Sequence, residues 1–136
     1  MIQVIAGKKG SGKTKRLIDL TNTTARAAEH DVIFLDDDNR YMFDVDHKVR
    51  FINAEDYHIH NGDMFIGFVC GMLSSNYDIG SVFIDAFLKV SHKDLQDTEE
   101  VIRSLAELSE KHDVNFVLSV SADPEELPEH LKQYLI

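Results

Sequence analysis

Eight residues near the start of the chain, Gly7-Lys8-Lys9-Gly10-Ser11-Gly12-Lys13-Thr14, set glycine, lysine and a hydroxyl at fixed spacing. Glycines let a loop take backbone angles that other residues resist, and they leave its amides open to an approaching oxyanion. A helix beginning near Lys13 turns its free N–H groups and positive dipole end toward the same anion. Lys13 then reaches the outer oxygens of a polyphosphate, and the Thr14 hydroxyl is placed to ligate Mg²⁺. At average glycine usage, fewer than ~1% of chains this long match G-x-x-x-x-G-K-[ST] by chance. Here the match directly follows an apolar strand, Ile2 to Ala6, and directly precedes a helix pattern, as the chemistry requires. The expectation is a bound nucleotide held by Gly7, Lys8, Lys9, Gly10, Ser11, Gly12, Lys13, Thr14 and Lys15, with Lys13 also serving catalysis.

A second acid fits this chemistry. Val82-Phe83-Ile84-Asp85 is an apolar strand ending in a carboxylate. Mg²⁺ is usually held by one or two carboxylates together with phosphate oxygens, which assigns the metal to Thr14 and Asp85. Asp36-Asp37-Asp38 closes another apolar run, and Asp36 and Asp38 are candidates for catalysis; the alternative is a solvated acidic turn. Ser119 and Ser121 end a later strand, either as sensors of a terminal phosphate or as a plain strand end. Arg40, Arg50 and Arg103 are candidates to stabilise transferred phosphate, or ordinary surface arginines. His58 and His60 alternate as a strand would place them, a spacing for a metal pair with Asp56 or Asp63, though without a further ligand nearby. Glu125, Glu126 and Glu129 read as a solvated helix face.

The elements that position these groups alternate between strand and helix. Ile2–Ala6, Val32–Leu35, Val49–Ile52, Val82–Ile84 and Asn115–Val120 are short, mostly apolar strands; strands of that kind are covered on both sides, as in a parallel sheet. Helices are expected from Lys13 to about Ala28, Met64 to Ser74 and Asp97 to His112, the last opening with Asp97 and Glu100 at capping-box spacing. Asp123-Pro124 starts a final short helix. The prediction is α/β: one three-layer α/β/α domain over residues 1–136, with a mainly parallel sheet of about five strands. Ligands of such sheets bind at the strands' C-terminal ends.

Bulk properties bound the partners. The chain has 136 residues, 43% hydrophobic and 28% charged, as in ordinary globular domains. Its 14 basic and 24 acidic residues give a net charge of −10, which argues against a general affinity for nucleic acid or anionic membrane. No apolar run is long enough to insert in a bilayer and no cationic leader precedes one, so a cytoplasmic setting is expected. The one cysteine, Cys70, lies in the apolar run Phe65–Leu73 and reads as a small buried hydrophobe.

On the loop at Gly7–Thr14 and the strand ending at Asp85, the chain resembles P-loop NTPases, with the loop as Walker A and Asp85 as the Walker B acid. It is most similar to their RecA-like and thymidine-kinase-like division, because the strand Val32–Leu35 intervenes between the two motifs. It also resembles, over its whole length, a group of short bacterial ATP-binding proteins with no assigned reaction. The resemblance implies ATP and Mg²⁺ as ligands. That division typically carries a catalytic Glu after the Walker B Asp, and here Ala86 stands in that position. The Asp36–Asp38 spacing is similar to the Asp-x-Asp of shikimate-kinase-like enzymes, where it serves magnesium and substrate.

Three functions follow as expectations. The first is an ATP-binding regulatory or switch protein with weak ATPase activity, in which Asn39–His47 or Leu88–Gln96 respond to the terminal phosphate and a protein partner reads the change. The second is a small-molecule or nucleoside kinase using the Asp36–Asp38 cluster. Against it, the residues after Asp85 carry a single arginine, Arg103, for a lid over the phosphates. The third is an oligomeric RecA-like ATPase subunit completed by a neighbour's arginine. Adenine is preferred over guanine because no Asn/Thr-Lys-x-Asp segment is present.

Overall fold

A computed structural model describes residues 1–136. Five strands form one all-parallel sheet: β1 (Ile2–Gly7), β2 (Asp31–Asp36), β3 (Val49–Asn53), β4 (Ile79–Ile84) and β5 (Asn115–Ser121). Their spatial order is β1-β5-β4-β2-β3. The helices are α1 (Lys13–Ala27), α2 (Gly62–Ser75), α3 (Phe87–Ser91), α4 (Glu99–His112) and α5 (Glu129–Lys132). Parallel strands need crossover connections; α1, α2 and α4 lie in those from β1 to β2, β3 to β4 and β4 to β5, and the helix-free segment 37–48 joins β2 to its neighbour β3.

Alternation along the strands divides the apolar residues between two layers. Ile33, Leu35, Val82, Ile84, Phe116 and Leu118 face a large core shared with α2 and α4. Val32, Phe34, Phe83 and Val117 face a smaller core closed by Leu17, Ile18 and Ala25 of α1. One helix is too narrow to cover that face. The segment after β2 completes it, with Tyr41 and Val45 packed against the same cluster. Asn22 on α1 ties this segment down twice: its Nδ2 donates to the Asp44 carbonyl at 3.0 Å, and its Oδ1 accepts the Asp46 N–H at 2.7 Å. Asn39–His47 is therefore anchored to α1 rather than free at its centre.

Three local expectations are corrected. The helix expected from Asp97 begins at Glu99, and no side chain caps it. Asp97 lies in the preceding 3₁₀ turn, while Thr98 is buried with its hydroxyl against the Leu95 carbonyl (3.1 Å) and His130 Nε2 (2.7 Å). The terminal helix is broken into a 3₁₀ turn over Pro124–Glu126 and α5; Asp123 does cap the turn, accepting the Glu125 N–H at 2.9 Å. Cys70 is exposed rather than buried. α2 turns Phe65, Val69 and Leu73 into the core, and Cys70 falls on the opposite side beside Gly67 and Gly71, where nothing packs.

Candidate functional site

The loop between β1 and α1 is shaped by its glycines. Gly10 (φ 84°) and Gly12 (φ 87°) take left-handed angles that a side chain would oppose. Gly12 is the residue that caps α1, and no side chain there accepts from the first amides of the helix. Those N–H groups, with no acid in the first turn to neutralise them, are available to an anion.

Strand order brings the remaining groups to this point. β5 lies between β1 and β4, with Gly7 opposite Ser121 and Ile84 opposite Leu118. Asp85, one residue past β4, thereby meets α1 across the end of β5. The Thr14 hydroxyl donates toward its carboxylate at 3.1 and 3.3 Å. Ser119 Oγ, fully buried, donates to Asp85 Oδ1 at 2.5 Å and accepts the Ala86 N–H at 2.9 Å. Ser119 thus orients Asp85 rather than standing free toward a phosphate, whereas Ser121 lines the cleft. Ala86 has φ 49° and caps α3.

β2 and β4 are neighbours, with Leu35 opposite Ile84, so Asp36 and Asp85 emerge side by side. The Asp85 N–H donates to the Leu35 carbonyl at 2.9 Å. Asp36 is 1% exposed; its Oδ1 accepts the Asp37 N–H at 2.7 Å, and its Oδ2 has no hydrogen-bond partner. Burial above all, then the Asp37 side chain and the charge of Asp85, push the Asp36 carboxyl up to about 8. The carboxylates of Asp36, Asp37 and Asp38 offer oxygens within 4.8 Å of one another. Their neighbours differ: Asp37 Oδ2 lies 3.8 Å from Lys89 Nζ, and Asp38 Oδ2 lies 3.3 Å from Arg40 Nη2.

A single cleft of about 1050 Å³ joins these groups. Lys9, Gly10, Gly12, Lys13, Thr14 and Lys15 line one side. Asp36, Asp37, Asp38 and Asp85 complete the lining together with Asn22, Arg40, Tyr41, Asp44 and Lys89. Gly7, Lys8 and Ser11 do not line it, and Lys8 turns toward Asp123 at 3.8 Å. The hydroxyl and carboxylate oxygens of Thr14 and Asp85 are hard donors at one place, a set that suits Mg²⁺. Arg50 on β3 and Arg103 on α4 lie outside the cleft. His58 and His60 have ring centroids 6.1 Å apart, but residue 58 has φ 57° instead of a strand angle and no third ligand group joins the pair. Lys89 and Asn22 were not singled out from sequence; a lysine four residues past Asp85, one helical turn beyond it, is the signal that was there to read.

The topology decides what this chain is similar to. A KaiC-like protein from Pyrococcus horikoshii superimposes with a TM-score of 0.66 at 14% identity, covering 98% of this chain and 68% of that one. The flagellar accessory protein FlaH from Methanocaldococcus jannaschii gives a TM-score of 0.59 at 14% identity, covering 97% and 65%. Domain III of the replication initiation protein DnaA from Thermotoga maritima gives 0.50 at 16%, covering 98% and 50%. The fold is RecA-like. This chain spans between half and about two-thirds of the length of these proteins. Comparison with protein-family models gives no match, and neither does comparison with curated protein sequences. At these identities the likeness is one of fold, and the RecA-like architecture accounts for the position of β5 between the loop strand and the strand of Asp85.

Proposed function

We propose that residues 1–136 act as one unit that binds ATP with Mg²⁺ in the cleft and works as a nucleotide-dependent switch with slow hydrolysis. The observation that carries this reading is the approach of Thr14 to Asp85, 71 residues apart in sequence, at an uncapped helix N-terminus. In this reading the amides of the loop and of α1 hold the phosphates, Lys13 neutralises the outer oxygens, and Thr14 and Asp85 hold Mg²⁺. The ion, when bound, draws off negative charge developing on the phosphates. Ser119 keeps Asp85 in one rotamer by bonding one carboxylate oxygen and leaves the other toward Thr14.

Slow turnover follows from residue 86. A methyl group there neither orients nor deprotonates an attacking water, and the Ala86 N–H is already committed to Ser119. α3 begins at the next residue, which makes Leu88–Gln96 the segment best placed to transmit the state of the site to a protein partner.

A second reading, phosphoryl transfer to a small acceptor, is favoured by Asp36. Its unpartnered carboxyl oxygen belongs to the same cleft, and Asn22, Tyr41 and Asp44 extend the lining beyond it. One pair of assays tests both. Lys13→Ala is expected to lose ATP binding while its circular dichroism is unchanged, and the wild-type chain to release phosphate slowly. Full affinity in that variant removes the proposal. No phosphate release, with ADP and a phosphorylated product formed only once a small hydroxyl compound is added, moves the transferase reading ahead.

A further inference from the structure

Three consecutive aspartates close β2, and each has a different neighbour. Asp36 turns into the sheet end beside Asp85. Asp37 and Asp38 stay half-buried in the cleft lining, each beside a cation from a different element. Lys89 belongs to α3, four residues past Asp85. Arg40 belongs to the segment that Asn22 ties to α1; its own N–H also donates to Asp38 Oδ1 at 2.9 Å. Both cations line the cleft that contains Thr14 and Asp85, and neither is part of the phosphate-binding loop.

The two ion pairs are weak. Lys89 and Arg40 side chains are 75% and 71% exposed, and pairs of that kind add little stability. A terminal phosphate carries more charge than one carboxylate and offers several acceptor oxygens, so it competes well for both cations. The carboxylates keep the cations at the cleft without holding them tightly.

We propose that Lys89 and Arg40 recognise the γ-phosphate of a bound nucleoside triphosphate, and that Asp37 and Asp38 hold these cations in place until it arrives. The inference rests on the cleft being a nucleotide site. It makes Asp37 and Asp38 holders of cations rather than a base or metal ligands. It also supplies the charge around the γ-phosphate from this chain alone, without a neighbour's arginine. Lys89 lies on α3, the segment that leaves the site, so exchanging Asp37 for phosphate couples nucleotide state to that helix.

The test is the affinity for ATP and for ADP, each with Mg²⁺, of the wild type, Lys89→Met, Arg40→Met and Asp37→Asn. The wild type is expected to prefer ATP by roughly tenfold or more, the scale of one or two charge-assisted hydrogen bonds. Lys89→Met and Arg40→Met should each weaken ATP by roughly fivefold or more and leave ADP unchanged, because the lost contact is to the γ-phosphate. Asp37→Asn should tighten ATP by a few-fold, since it frees Lys89 and removes a negative charge from the cleft lining. Weaker Mg²⁺-ATP binding in Asp37→Asn, the sign for a lost metal ligand, overturns the assignment. So does an unchanged ATP/ADP ratio in both cation variants. Equal affinity of the wild type for ATP and ADP overturns this inference and leaves nucleotide binding standing. Binding of neither nucleotide removes both.

Discussion

Replacing Asp36 by Asn changes one buried carboxyl into an uncharged group of the same shape. The unfolded chain ionises this residue near the ordinary aspartate value of 3.8, whereas the folded chain holds it protonated up to about 8. Below 3.8 both states bind the proton and the difference vanishes. As pH rises from there, the unfolded state loses the proton first, so stability falls until pH passes about 8. Each pH unit in that window removes up to about 1.4 kcal/mol, so burial of Asp36 costs on the order of 4 kcal/mol at pH 7. The amide recovers part of this, since its NH₂ also needs a partner where Oδ2 now has none. A gain of about 1–3 kcal/mol corresponds to a Tm rise of about 5–10 °C for a chain of this size. Thermal unfolding at pH 4, 6, 7.5 and 9, without nucleotide, reads it directly. The variant should be no more stable than the wild type at pH 4 and should gain on it steadily toward pH 8. Equal or lower stability at pH 7.5 would refute the view of Asp36 as a buried carboxyl held at a cost.

Other outcomes follow from the same geometry. Ser119→Ala removes the bond to Asp85 and strands the Ala86 N–H, so denaturant unfolding should show a loss of about 1–3 kcal/mol; an unchanged midpoint would mean that Asp85 is oriented by something else. Ala86→Gly relieves a left-handed φ of 49° and should stabilise the chain by about 1 kcal/mol; a fall in Tm would show that the backbone there is unstrained. Cys70, exposed on α2, should react completely with a thiol reagent under native conditions without loss of helix content; protection until unfolding would return it to the core.

The parts of this fold that were legible in the sequence are those with a local cause. All five strands read out because each is a short, mostly apolar run, and the turn at Gly7–Thr14 because its glycines suit the left-handed angles that Gly10 and Gly12 take. The order of the strands was not legible. Val82–Ile84 and Phe116–Leu118 are equally apolar, and nothing in either run says which lies beside β1. The role of Ser119 depends on that order, since only with β5 between β1 and β4 does its hydroxyl reach Asp85. Asp36, Asp37 and Asp38 read as one cluster because sequence carries no record of which side chain turns inward. Cys70 misled because an apolar run hides its helical phase: Phe65, Val69 and Leu73 share a face, and residue 70 is off it. Thr98 took the place of Asp97 at the start of α4 because a tertiary partner, His130, engages its hydroxyl.

The central claim is that the cleft holds Mg²⁺-ATP. Calorimetric titration of ATP into the chain, with Mg²⁺ and again with a chelator, tests it most directly. Saturable binding at one site per chain is expected, weaker by roughly tenfold or more without the metal. No binding in the presence of Mg²⁺, or the same affinity in its absence, would contradict the assignment of Thr14 and Asp85.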